Sequence, residues 1–409
     1  MMVRGRSVCR IVSLTVVVFG FFMINSVGAT ELQIANETFI ASDPPAAVID
    51  PHNITKSDDG DYIVTGRIAA RQQAWASKID ISGGVKWQYV MGLEESLPIG
   101  KGAEFNGAIQ MQDGSIFLCG NMPRPPGVYA PAVLIQIAAD GHTEKKQYIA
   151  PQGRTDRGIV TVRNCARWGQ DIVILSSVLH IIEPTPNASP PVVDQFYWLL
   201  RLDASGRKKW ELRIPTTLGA ITDRGSLIIT SGSDLIFSSW ELDQTELFRV
   251  GDGGSLSASQ KMPGQFRLVQ GTSRGNSVKL FGYTEDGLSA SVTLDKDLHE
   301  VVKIKGALSI HQFVSSGGFE TPGKLVLLFG SALHQVGETY STRMLLLDDN
   351  LRSLGSLELS ERGSHDNGRL VAFSPTSNEN EFLVARSLLR RGEGVKESSG
   401  AAIDLVRIK

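Results

Sequence analysis

Long helical periodicity is missing from this chain, and so are the short motifs by which catalytic centres are usually recognised. Cysteine is scarce, with three in 409 residues. Cys9 lies in the N-terminal segment, which leaves Cys119 and Cys165, too few for a disulfide-built scaffold, so burial must hold the fold. Both sit in strand-like runs, either as small buried apolar residues or as one bridge between neighbouring repeats. Charge of one sign is also missing, since 41 Lys and Arg stand against 43 Asp and Glu. No basic stripe emerges, and nucleic acid is excluded as a partner. The apolar run Ile11–Met23 is shorter than the roughly 20 residues that span a bilayer, so no membrane span is expected once the N-terminal segment is removed. The seven His residues show no ligand spacing, and no metal site is expected. His52, His311 and His365, each near a first strand, are the set that a closed ring could gather at its axis. No G-x-S-x-G elbow, Cys/His pair or phosphate-cradling loop occurs, so no catalytic residue is assigned.

What the chain does have is turns and strands. Gly is abundant at 42 residues, while hydrophobic residues at 42% and charged residues at 21% are ordinary globular values. At the N-terminus, Arg4, Arg6 and Arg10 precede the apolar run, and Val27-Gly28-Ala29 supplies small residues for cleavage. This reads as a signal peptide over residues 1–29, followed by a single domain over 30–409, exported to a bacterial periplasm or the cell exterior.

The domain is built on one repeated pattern. In Asp61 to Gly92, the β-branched run Tyr62–Thr65 closes on Gly66, Ala74–Ile79 follows a polar loop, Asp80–Gly83 is turn chemistry, and Val85–Val90 alternates again. With one strand before it, this is a four-stranded meander that cannot bury both faces alone. The turn recurs as Ile79-Asp80…Gly83, Ile137-Ala138…Gly141, Leu202-Asp203…Gly206, Val250-Gly251…Gly254, Leu294-Asp295…Leu298 and Leu347-Asp348…Leu351. An Asp there bonds its own backbone, and Gly three residues on permits a positive φ, so these Asp residues are structural. A second marker, an apolar run ending in a small residue, ends at Gly66, Gly120, Ser176, Ser238, Gly282, Gly330 and Ala385. The seventh copy stops at Lys409 without a fourth strand, and the segment Glu31–Ile40 has no partner of its own. The expectation is an all-β, seven-bladed β-propeller closed by an N-terminal strand.

Asp59-Gly60 through Trp87 and Phe196 through Trp210 (FYWLLRLDASGRKKW) resemble the repeats of bacterial secreted β-propeller proteins. The blades are also loosely similar to kelch-like and quinoprotein blades, which carry a docking Trp near the blade end. Trp87 and Trp210 occupy that place, whereas Lys145, Val302 and Gly355 stand there elsewhere. The resemblance therefore implies a propeller without a quinone, and no cofactor is expected.

Short hairpin turns face one side and long loops the other, among them 121–130, 180–194, 332–341 and 390–400. Loops presented by a rigid scaffold carry function, so the long-loop face is expected to bind. Three inter-blade loops repeat a charged arrangement: Arg154 with Asp156 and Arg157, Asp223 with Arg224, and Arg362 with His365 and Asp366. Paired Arg and Asp there either hold a carboxylate, phosphate or sugar, or cap a turn between blades. The functional expectation is a non-catalytic scaffold for a protein or cell-envelope carbohydrate ligand. The alternative is a propeller hydrolase or lyase working at the channel mouth.

Overall fold

The computed structural model describes residues 32–41, 48–69, 73–91, 102–122, 130–151, 158–182, 192–216, 226–229, 234–241, 244–262, 266–274, 277–284, 286–309, 313–320, 326–332, 341–358, 371–378, 380–392 and 395–409. Among these residues the regular elements are all strands, and they form seven four-stranded antiparallel sheets. Six sheets are blades, each of four consecutive strands: blade 1 over 49–90, blade 2 over 104–149, blade 3 over 158–215, blade 4 over 226–261, blade 5 over 267–309 and blade 6 over 313–358. The expected count of seven blades is corrected accordingly: the propeller counts six. The last sheet is not a continuous repeat but a composite of both chain ends, ordered Leu32–Ala41, Val395–Ile408, Glu381–Gly392, Val371–Pro375.

That composite sheet closes the ring. Leu32–Ala41 runs antiparallel to Val395–Ile408, from Leu32 opposite Ile408 to Ala41 opposite Gly400. Behind the pairing, Arg386 is 1% exposed and its Nε donates to Asp404 Oδ2 at 2.7 Å, while Nη2 donates to Glu37 Oε2 at 2.6 Å. A buried guanidinium is tolerated only when its donors are matched, and the N-terminal strand supplies part of this match through Glu37. Apolar packing then follows the ring, because each core cluster joins two neighbouring sheets. Ile40 and Ile403 meet Trp75, Ala76 meets Phe105, Phe117 meets Trp198, and Leu175 meets Phe237. Leu247 meets Leu280, Phe281 meets Leu345, and Met344 meets Phe382 to complete the circuit.

The third-to-fourth turns share one hydrogen-bond pattern. Asp80 N takes Gly84 O and Gly83 N takes Asp80 O, and the same pair of bonds recurs at Ala138, Asp203, Gly251, Asp295 and Asp348. The fourth turn residue has positive φ in all six, as Gly83, Gly141, Gly206, Gly254, Leu298 and Leu351. Where it is Gly, the preceding sheet's outer strand fills the space left by the missing side chain. Trp87 lies 2.7 Å from the place a Cβ on Gly141 would take, and Trp210 lies 2.6 Å from that on Gly254. Thr38 covers Gly83 in the same way and donates to Ser82 O at 2.7 Å. Between blades 5 and 6 the exchange is reversed: Leu351, at φ 60 and 2% exposed, fills the space, and a Cβ on Gly306 would come 2.8 Å from the Leu351 Cβ. Burying the leucine offsets the roughly 1–2 kcal/mol of left-handed strain.

The turn aspartates also set the acid limit. Burial pushes Asp203 up, but hydrogen bonds from Ser205 and Arg207 outweigh it and hold the carboxyl at about 2. The Ser82 hydroxyl holds Asp80 low, the Ser115 hydroxyl Asp113, and the His299 amide Asp295. Each folded pKa is below the unfolded one, so the stability it contributes is present above about pH 4 and is lost as pH falls toward 2. Melting temperature recorded against pH is expected to drop across that window. Asp203→Asn, which keeps the acceptor oxygen but cannot titrate, is expected to shallow the drop; an unchanged slope would show that this turn does not contribute.

Candidate functional site

First strands of neighbouring sheets are the ones that approach each other, so they line the centre of the ring. These strands are irregular in a repeated way. Register shifts fall between Pro51 and Asn53, Phe105 and Gly107, Val162 and Asn164, Leu268 and Gln270, and Ser315 and Gly317. Each is a β-bulge that leaves one residue without a cross-strand partner: His52, Asn106, Arg163, Val269 and Ser316 in turn. A bulge re-aims the side chain it carries, which is why bulges gather beside functional sites.

The bulge explains the small residues that end the second strands. Gly66 and Gly120 lie opposite Pro51 and Phe105, the residues just before the bulge. A Cβ on Gly66 would sit 2.0 Å from Asp50 O, and one on Gly120 2.0 Å from Glu104 O. No side chain fits there, because the bulged backbone itself occupies the space.

In blades 1 and 2 the repeat also places an acid two residues before the bulge, with a polar residue across from it: Asp50 opposite Arg67, and Glu104 opposite Asn121. Arg67 Nε donates to Asp50 Oδ2 at 3.1 Å, and its Nη1 lies 3.9 Å from Glu104 Oε2. Ser387 of the composite sheet donates to Asp50 Oδ1 at 3.0 Å, and Asn121 Nδ2 to Glu104 Oε1 at 2.8 Å. Three sheets thus converge on one group. Asp50 and His52 are each 12% exposed in their side chains, Glu104 22% and Arg67 39%, so Arg67 is the part most open to a ligand.

The hydrogen bonds also orient His52. Asn106 Nδ2 donates to Val162 O at 2.8 Å, which turns its Oδ1 toward His52 Nδ1 at 2.7 Å. An amide oxygen only accepts, so Nδ1 carries a proton, and Nε2, which makes no hydrogen bond among the described residues, presents a lone pair when the ring is neutral. The group therefore offers a guanidinium donor, carboxylate acceptors and an imidazole nitrogen over a short span.

This cluster sits where the strands give way to segments 42–47, 70–72, 92–101 and 123–129, the face on which the long loops were expected to carry function. The eight residues singled out in the sequence, Arg154, Asp156, Arg157, Asp223, Arg224, Arg362, His365 and Asp366, lie outside the described residues, as does His311. Of the candidate histidines, His52 falls within the cluster. Asp50, Arg67, Glu104, Asn106 and Asn121 were not anticipated, although the glycines closing the second strands marked their position. At the opposite end of the same first strands, a cavity of about 360 Å³ is lined by Thr55, Lys56, Asp58, Gln110, Cys165 and Arg167 among others. Asp295, Asp297 and His299 bring ligand atoms within 4.8 Å of one another on an exposed turn, where Asp295 already accepts the turn's own amides.

No family model matches the chain, and no curated protein matches it. Similar solved structures include a quinoprotein alcohol dehydrogenase-like protein from Bacteroides thetaiotaomicron, at 9% identity and TM-score 0.45 over 78% of this chain and 67% of that one. The Dos1 propeller aligns at 10% identity and TM-score 0.48 over 92% and 95%. The haemagglutinin-neuraminidase of parainfluenza virus 5 with the ligand DANA aligns at 10% and 0.49 over 92% and 95%. These proteins are β-propellers, and likeness at this level bears on no residue or reaction.

Proposed function

We propose that this propeller is a binding scaffold for a hydroxyl-rich saccharide of the cell envelope, seated at the channel mouth on Asp50, His52, Arg67 and Glu104. One observation carries the reading. The bulged first strands of blades 1 and 2 and the second strand of blade 1 bring a cation, two carboxylates and an oriented imidazole to one partly buried group, with Arg67 as its most open part and with bonds among its members already formed. Such a group is preorganised for paired hydroxyls, which need a donor and an acceptor side by side. Export of the chain, read from residues 1–29, puts that mouth in reach of envelope glycans; N-terminal sequencing of the product recovered outside the cytoplasm checks it, and a start at Met1 would contradict it.

Arg67→Ala is expected to weaken binding of soluble envelope oligosaccharides at least tenfold, about 1.4 kcal/mol. Its stability is expected to change by less than about 1 kcal/mol, because Arg67 is 39% exposed and Asp50 keeps its bond from Ser387. Titration calorimetry and a melting curve read the two effects. Unchanged affinity in both Arg67→Ala and His52→Ala would overturn the assignment.

The lone pair at His52 Nε2 favours a second reading, in which this nitrogen removes a proton from a bound saccharide in a hydrolase or lyase. Release of reducing ends or unsaturated product, abolished in His52→Ala, would make the binding site an active site. Stoichiometric binding without turnover would leave the scaffold reading alone.

A further inference from the structure

Cys119 and Cys165 are free and buried, and they belong to neighbouring blades: Cys119 to the second strand of blade 2, Cys165 to the first strand of blade 3. Cys119 lies opposite Gly107 in register, which places their Cα atoms about 5 Å apart. The space that a Cβ on Gly107 would take is filled by Cys165 Sγ, 2.6 Å from that point. The two thiols are thereby held beside each other.

They differ in access. Cys119 is 0% exposed, whereas Cys165 is 7% exposed and forms part of the wall of the cavity at the short-turn end of the first strands. That wall carries two cations. Lys56 Nζ donates to Ser377 Oγ and has no carboxylate partner among the described residues. Arg167 Nη1 is shared between Asp58 Oδ2 and Gln110 O. Two cations against one acid favour an anionic visitor.

We propose that Cys165 and Cys119 are an attacking and a resolving thiol, and that a small anionic disulfide entering this cavity converts them into a covalent link between blades 2 and 3. The Cys165 thiolate attacks one sulfur of the disulfide; a bond forms from Cys165 to that half, and the other half leaves as a thiolate. The Cys119 thiolate then attacks the Cys165 sulfur and expels the second half. Two protein thiols are oxidised, one small disulfide is reduced to two thiols, and the two protein protons end on the leaving sulfurs. Burial, and then the bond to Cys165, push the Cys119 thiol well up, which makes it the later and slower reactant.

The test incubates the folded full-length chain carrying Cys9→Ser with oxidised glutathione, followed by mass spectrometry and peptide mapping without reductant. The expected product has lost two hydrogens and joins the peptides containing Cys119 and Cys165. Cys119→Ser is expected to stop at one glutathione held on Cys165, and Cys165→Ser to react at neither position. Lys56→Ala with Arg167→Ala is expected to slow the first step by about tenfold with glutathione disulfide but not with neutral hydroxyethyl disulfide. Melting curves confirm that each variant is folded, and Cys119→Ala replaces Cys119→Ser if the serine disrupts the core. Two free thiols after exposure, or modification of Cys119 in Cys165→Ser at the same rate, would overturn the proposal.

Discussion

Deleting residues 31–41 is expected to unfold the propeller rather than trim it. The deleted strand covers the edge of Val395–Ile408 from Gly400 to Ile408. Leu32 at 5% and Ile40 at 1% exposure are lost from two different core clusters. At about 1.5–3 kcal/mol for each buried apolar side chain and about 1 kcal/mol net for each hydrogen bond, the loss is on the order of 5 kcal/mol or more. Whole-domain stability is about 5–15 kcal/mol, so little of it remains, and the open edge invites aggregation. Thr38 leaves as well, uncovering Gly83 in blade 1. Arg386→Ala offers a single-residue version, since it removes the buried guanidinium that bonds both Asp404, 0% exposed, and Glu37, at a cost of about 3–5 kcal/mol. Urea melts of the purified variants measure both; a truncated chain that melts like its parent would refute the closure.

Gly66→Ala is expected to cost about 3 kcal/mol and to abolish saccharide binding together. The new Cβ meets backbone, at 2.0 Å from Asp50 O and 2.9 Å from Pro51 Cα, so no side-chain rotation relieves the clash. Relief requires undoing the bulge that aims His52, and the site goes with it. Gly120→Ala is expected to behave alike in blade 2, where Glu104 O lies 2.0 Å away. Gly253→Ala, with nothing within 4 Å of its Cβ, is the control and is expected to be near neutral. Stability and binding are read on the same samples. A Gly66→Ala protein that loses stability yet binds at full affinity would separate the bulge from the site.

The parts of the fold that a local pattern encodes were legible in the sequence. The turn at Asp80 announces itself because Asp, its hydrogen-bonded Ser82 and the positive-φ Gly83 lie within four residues. The position of Leu298 and Leu351 in that same turn was legible too, although the reason for a leucine there needs the neighbouring outer strand. The pairing of Glu31–Ile40 with the chain's other end followed from counting strands. How the sheets are counted did not, because a sheet made from both termini is not a repeat of any one stretch. The site was hidden for a related reason. Asp50, Glu104 and Asn106 read as ordinary strand residues, and their convergence depends on three sheets meeting in space. A small residue after the apolar run marks each copy in the sequence, but at Gly66 and Gly120 its cause is the backbone of a different strand. Asp156, Arg157, Asp223 and Arg224, by contrast, are conspicuous in sequence through their repetition and lie outside the described residues.

If the site is as proposed, the bulged first strand of blade 1 presents His52 to a ligand with Nδ1 protonated and Nε2 open to it. Long-range ¹H–¹⁵N spectra of the histidine rings, with His52 assigned through His52→Ala and recorded with and without envelope oligosaccharide, test it most directly. The expected result is the Nδ1–H tautomer for His52 in the free protein and a shift of its Nε2 resonance on ligand addition, lost in Arg67→Ala. An Nε2–H tautomer, or an unmoved His52 while the oligosaccharide binds, would contradict it.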